Sequence, residues 1–362
     1  MFAGHVTKMP GMGWLEQHVV FNLAPCGVAV FFVLSGFILT YNYAHSFRGG
    51  IHAGNYGRFI WDRLSKIYPL YLFTLLLCIP IQMIGQHRDW NWLALGLQVT
   101  LLQCILPIQQ LRLTNYFNVP GWSISCEMFF YLLAPVLIWR CLAIKRLSVA
   151  VLLAGTVSII IVMTTGIAAN QFPWPARFAP LRVPEFIIGV VTAACYLRAG
   201  SCSRTTAGFF VVGGLLLLAA GVGFNYLVPN FLKFGPLFAP GAALLIYGLA
   251  AGQGYTTRFL SHRWVVLLGM SSFALYLIHD PIIRIGKGVF QHYGLAASGF
   301  WPAFLLGLIL FAFTQAVAIG LFKTFELPAQ KYLRRLIIKK APGGNAPIQP
   351  INSPAPIPPG PA

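Results

Sequence analysis

An all-α, polytopic bundle of membrane-spanning helices is the fold class this sequence predicts, and three observations carry the prediction. Of the 362 residues, 57% are hydrophobic and only 9% are charged, where a soluble chain carries roughly a quarter charged. Mean hydropathy is +0.73. Apolar runs long enough to cross ~30 Å of hydrocarbon recur at 24–44, 68–86, 122–139, 148–168, 183–199, 207–228, 236–252, 265–283 and 301–322. The net charge of +18 suits Lys and Arg retained on cytoplasmic loops. No zinc-finger, helix-turn-helix or RNA-binding pattern accompanies it, so no nucleic-acid partner is expected.

The first complete run contains PCGVAVFFVLSGFILTY, with Ser35-Gly36 at its middle. Small residues there favour close helix packing. Arg58, Arg63 and Lys66 end the following loop, and Ile67-Tyr68-Pro69-Leu70-Tyr71 opens the second run. The stretch 91–110 is also apolar, but Gln98, Gln103, Gln109 and Gln110 interrupt it. Charge decides its status. With residue 24 outside and 91–110 not spanning, 17 of the 25 Lys and Arg fall on inner segments and 8 on outer ones; if 91–110 spans, the inner count drops to 10 against 15. Cytoplasmic loops are the Lys/Arg-rich ones, so 91–110 lies in the interface or re-enters.

The next run begins at Gly121-Trp122-Ser123-Ile124-Ser125-Cys126-Glu127-Met128-Phe129-Phe130-Tyr131. Trp122 stands where aromatic belts form. Ser123, Glu127 and Tyr131 are four apart and share one helix face. Only seven acidic residues exist: Glu16, Asp62, Asp89, Glu127, Glu185, Asp280 and Glu326. A carboxylate at mid-span costs roughly 2.5–3.5 kcal/mol, which marks Glu127 as a functional candidate. The span at 183–199 is preceded by Arg182, which can pair with Glu185. The span at 265–283 carries Tyr276 and His279, three apart on one face, with His279 near its outer end. Seven Cys occur without a C-x-x-C pair and read as small hydrophobes; no metal site is implied. Residues 1–340 form one membrane domain without internal repeat. The uncharged, Pro-rich stretch 341–362 reads as a disordered cytoplasmic tail.

Each polar residue also has a plainer reading. A lone His near a helix end, such as His5, is more often structural than catalytic. Arg63 and Lys66 fit ordinary inner-loop charge, and His279 fits a buried His bonded to a neighbouring helix.

Taken in order, His5, the FFVLSGF run, Arg63-Leu64-Ser65-Lys66 before Pro69-Leu70-Tyr71, Trp122-Ser123 with Glu127 and Tyr131, and Ser272-Phe273-Ala274-Leu275-Tyr276-Leu277-Ile278-His279 resemble acyltransferase family 3. Its members are integral-membrane O-acylases of bacterial surface polysaccharides. Arg182-Val183-Pro184-Glu185 and Phe325-Glu326-Leu327-Pro328 match weaker family patterns. The resemblance covers about 5–332 and implies about ten spans, the first largely missing here, since the family's Arg eleven residues before the His would fall before residue 1. It implies His5 as catalytic base, for which a near-neutral imidazole is suited, with Glu127 orienting or charging that site. Arg63 and Lys66 would hold the phosphates of acyl-CoA at a helix start. Lys66 departs from the family's second Arg and gives a point charge rather than a planar fork. Trp122, Ser123, Tyr131, Tyr276, His279 and Ser35 complete the substrate and donor contacts. Acyl-CoA, in the first place acetyl-CoA, is then a donor substrate rather than a bound cofactor. The acceptor is an exported or lipid-linked glycan, the setting a bacterial inner membrane, and the C-terminus cytoplasmic. Two other classes stay open: a transporter, which the missing two-fold repeat of interrupted helices disfavours, and an inactive or accessory membrane protein.

Overall fold

The computed structural model describes Phe2, His5, Pro10 and residues 23–338, except 86, 88, 107–112, 170–176, 225–226, 228–234, 253–254 and 297–298. The expected tail at 341–362, together with Gln109 and Gln110, lies outside the described residues; of the stub ending at His5, Phe2 and His5 are described, both helical. Among the described residues there are helices and no strands. They run α1 (Leu23–Arg48), α2 (Ala53–Gly85), α3 (Trp92–Val99), α4 (Gly121–Ala143) and α5 (Leu147–Ala169). A 3-10 turn (Ala179–Arg182) leads into α6 (Val183–Ala199), then α7 (Arg204–Phe224), α8 (Ala239–Ala251), α9 (Tyr255–Leu260) and α10 (Arg263–Met270). The last elements are α11 (Ser272–His292), α12 (Phe300–Leu321), a π turn (Phe322–Glu326) and α13 (Leu327–Ile338).

Each of the nine expected runs falls on a helix, but not every one is a full straight span. Among the described residues, six helices are long and apolar enough to cross a membrane, and α10 with α11 makes a seventh if the pair, bent by 56°, is one span. The runs at 148–168 and 236–252 yield shorter apolar stretches, Ser148–Ile161 and Ala239–Ala251. The bend has a local cause. The buried Ser271 turns its Oγ back to Leu267 O (3.0 Å) and accepts from Gln315 Nε2 of α12 (2.9 Å), a side-chain competition that commonly bends helices.

The described part of the stretch 91–110, residues 91–106, forms no helix long enough to cross a membrane. Its helix α3 has eight residues, about 12 Å of rise. The buried glutamines that interrupt the apolar run instead pin it to the bundle. Gln98 donates to Leu113 O (3.3 Å) and accepts from Asn118 N (3.2 Å); Gln103 donates to Gly121 O (3.1 Å). Ser125 of α4 donates to Leu101 O (2.6 Å). The segment thereby fixes the first turn of α4, where Ser123 sits.

The sequence reading placed Arg63 and Lys66 on a loop at a helix start. Here α2 begins at Ala53 and continues through both of them. The helix N-terminus is ten residues before Arg63, too far for its N–H groups to share a ligand, since that effect fades within one turn. No proline or glycine-rich turn precedes the apolar part, so the charged turns simply continue the helix.

The core is built on α1, α4 and α6. Phe130 meets Phe32 edge-on (centroids 5.0 Å) and stacks on Phe186 (5.0 Å). Glycine sets the α1–α6 distance. A Cβ on Gly36 would overlap the Phe186 carbonyl, and one on Gly189 the Val33 carbonyl. The small residue of the Ser35-Gly36 pair therefore packs helices, while Ser35 faces the site. The large apolar side chains of α5, α7 and α12, including Leu152, Phe209 and Trp301, are exposed, as lipid-facing surfaces are.

Gly36→Ala or Gly189→Ala is expected to cost about 1–3 kcal/mol by overpacking, whereas Gly208→Ala, with open space around it, is not. Thermal stability of the detergent-extracted protein checks this; equal midpoints for all three variants would contradict the close α1–α6 approach.

Candidate active site

The polar residues inside the bundle form two sets joined along α4. The first gathers around the His5 ring. His5 Nδ1 lies 3.4 Å from Asp280 Oδ1, and the other oxygen of Asp280 takes Arg284 Nε at 2.6 Å. His5 and His279 meet edge to face with centroids 4.9 Å apart. His279 Nδ1 is 2.5 Å from the carbonyl of Tyr276. A carbonyl only accepts, so this contact puts the His279 proton on Nδ1 and leaves Nε2 as a lone-pair acceptor. That Nε2 is buried and has no hydrogen-bond partner among the described residues. Phe2 covers the pair, 6.4 Å from His279 and 5.4 Å from Phe311. Ser123 Oγ donates to Tyr276 Oη (2.7 Å), which donates to Pro120 O (3.1 Å). This ties α11 to the start of α4.

The second set begins one turn further along α4. Tyr131 Oη donates to Glu127 Oε2 at 3.0 Å, and Ser35 of α1 hydrogen-bonds the same carboxylate. Lys66 and Arg63 of α2 are the cations in electrostatic reach of Glu127. Arg63, buried, donates to Tyr43 Oη (2.8 Å) and lies over the Tyr43 ring, 5.1 Å from its centroid. Tyr43 Oη in turn donates to Asp62 Oδ2 (3.2 Å). Glu326 of the π turn and Arg334 of α13 face Lys66 from the other side. Lys66 keeps an exposed side chain.

The structure thus brings His5, Ser123, Tyr276 and His279 together, and Ser35, Arg63, Lys66, Glu127 and Tyr131 together. Trp122 joins neither set by a polar contact; it packs edge-on to Phe32 at 6.3 Å. The expected partnership of Glu127 with His5 is replaced. The carboxylate beside His5 is Asp280, and Glu127 serves the cationic set. Asp280 stands next to His279 in the sequence, but nothing in that motif marks it as a partner for His5. Arg284, four residues on, has the helical spacing of an ion pair. Arg182 and Glu185 form a buried pair of their own (2.8 Å), with Arg182 over the Phe32 ring, outside both sets.

Residues 1–323 match the model of an acyltransferase domain, that of acyltransferase family 3. The chain belongs to that family. The acyltransferase MdmB of Streptomyces mycarofaciens is 31% identical, over 94% of this chain and 91% of its own length. The exopolysaccharide production protein ExoZ of Rhizobium meliloti (strain 1021) is 27% identical, over 80% of this chain and 85% of its own. No solved structure matches. This family 3 chain is therefore a membrane acyltransferase. Glu326 and Arg334 lie beyond the matched family domain.

Tyr276→Phe or Ser123→Ala should each lower stability by about 0.5–1.5 kcal/mol, because each removes their mutual hydrogen bond while Pro120 O still accepts from the hydroxyl that remains. The double variant should cost less than the two losses combined. Denaturant titration of the reconstituted protein measures this, and additive losses would show that the two hydroxyls do not act on each other.

Proposed function

We propose that the protein moves an acyl group, in the first place acetyl, from acyl-CoA to a hydroxyl of an exported or lipid-linked glycan. The observation that carries this reading is the pairing of His5 with Asp280 beside His279, at the opposite end of an α4 polar track from Arg63 and Lys66. Ser123 and Tyr131 bracket that track and are eight residues apart, about 12 Å along a helix. The phosphates of the donor would rest at Arg63 and Lys66, with its thioester arm lying along α4. The resemblance of ExoZ, an exopolysaccharide production protein, supports a saccharide acceptor. The Arg63 end and the C-terminus face the cytoplasm in this proposal, in line with the 17 cations assigned to inner segments, and the His5 end faces outward across a bacterial inner membrane.

In the transfer, the Asp280 carboxylate holds the proton of His5 on Nδ1, so Nε2 is the base. Nε2 takes the proton of the acceptor hydroxyl as its oxygen attacks the thioester carbonyl. The C–O bond forms, the C–S bond breaks, and the proton passes from His5 to the leaving thiolate. No net proton is released. Glu127, with Lys66 and Arg63, belongs to the donor end.

His5→Ala should reduce transfer from labelled acetyl-CoA in membranes by about 10²–10⁴-fold, the range of general-base catalysis, at normal protein levels. Asp280→Asn should lower transfer in wild-type background and add nothing to the His5→Ala loss, because groups acting in one step are non-additive. Near-normal transfer by the His5 variant, or losses that multiply, would overturn this assignment.

A further inference from the structure

We propose that α13, beyond the matched family domain, completes the donor site by supplying Arg334 as a third cation for the phosphate groups of the donor, beside Arg63 and Lys66. The proposal rests on the donor reading above. Its geometric basis is the docking of α13 on the first half of α2. Trp61 Nε1 donates to Leu333 O at 3.0 Å, and Arg334 Nε lies 3.2 Å from Asp62 Oδ1. With its side chain only 16% exposed, Arg334 points into the bundle rather than away from it. Asp62 is also the acceptor of Tyr43 Oη, whose oxygen receives Arg63 Nη2. Arg334, Asp62, Tyr43 and Arg63 thus form one chain of contacts, with Lys66 a turn further along α2.

Among the described residues, three buried polar atoms in this set have no hydrogen-bond partner: Arg63 Nε, Glu326 Oε2 and Arg334 Nε, the last only in ion-pair reach of Asp62. An orphaned donor on an Arg that is 6% exposed is costly unless a ligand meets it. Glu326 sits on a π turn, a helix irregularity frequent at functional sites. That turn is packed on α2 through Phe325 and Phe73, with centroids 5.1 Å apart. The turn continues α12 into α13 without a break, and α13 lies along the first half of α2 at Trp61 and Asp62. Asp62, Glu127 and Glu326 stand among Arg63, Lys66 and Arg334. A polyanion entering at the exposed Lys66 would take the place of the carboxylates. Arg334 approaches Asp62 from its Nε side, and a guanidinium binds phosphate through a planar fork of N–H donors.

The test compares Arg334→Gln with Arg335→Gln, an exposed neighbour on the same helix, using acetyl-CoA and its phosphate-free counterpart acetyl-pantetheine as donors. Loss of a charge-assisted contact should raise the KM for acetyl-CoA about tenfold or more in Arg334→Gln. The KM should stay unchanged in Arg335→Gln, and kcat/KM for acetyl-pantetheine should be the same in all three proteins. An unchanged KM in Arg334→Gln, or an equal loss with both donors, would overturn the proposal by leaving Arg334 only a structural clamp. If Arg63→Gln still raises the KM in that case, the donor reading survives without α13. A wild-type rate that does not saturate with acetyl-CoA would remove both.

Discussion

A carboxylate placed in a hydrocarbon slab must find a partner, and this chain has few carboxylates. Five of its seven, Asp62, Glu127, Glu185, Asp280 and Glu326, lie on the helices and the π turn of the bundle. Leaving any of them unpaired there costs several kcal/mol. Four of the five draw a partner from a distant part of the chain. Asp280 brings His5 to α11, Asp62 brings α13 to α2, Glu127 draws α1 and α2 to α4, and Glu326 draws the π turn to Lys66. Satisfying these charges assembles the bundle and both polar sets at once. Fold and site are therefore not separable here, as they would be for a pocket built on surface loops.

Helix α4 organises the rest. Its first turn is fixed by Gln103 and Ser125, which tie it to the segment that carries α3, and its inner face carries Ser123, Glu127 and Tyr131 in register. The close α1–α6 contact at Gly36 and Gly189 holds Phe32, Phe130 and Phe186 behind that face. With an apolar wall on one side and polar groups on the other, the track along α4 suits a long, thin donor arm whose charged end and reacting end need different surroundings. In the proposed reaction the cations sit at one end and the imidazoles at the other, so a phosphate does not have to approach the base.

Much of this was legible in the sequence. The helices follow from hydropathy, although the runs at 148–168 and 236–252 fall short of full spans, and Gln98 and Gln103, which interrupt the apolar run after residue 91, are buried against the bundle. Ser123, Glu127 and Tyr131 share a face because helical spacing dictates it. What periodicity could not reveal is which polar residue meets which across helices. His5 and Glu127 resemble partners by family order, but partner choice depends on helix rotation and depth, and these bring Asp280 to His5. The start of α2 was misplaced because Arg58, Arg63 and Lys66 look like loop charge, whereas they occupy helix turns that lie inside the bundle. The bend at Ser271 depends on a side-chain bond that hydropathy does not register. Arg334 went unnoticed because a basic stretch after the last span is usually only a topology signal.

The account turns on one bound donor reaching from the cationic set to His5. The most direct measurement is a cryo-EM structure of the full chain in lipid nanodiscs with a non-transferable acetyl-CoA thioether analogue. The account predicts phosphate density against Arg63 and Lys66, the pantetheine arm along the Ser123–Tyr131 face of α4, and the carbon replacing the thioester carbonyl within reach of His5 Nε2. An analogue whose reactive end stops at Glu127, or whose phosphates rest on the His5 side of the bundle, would contradict it.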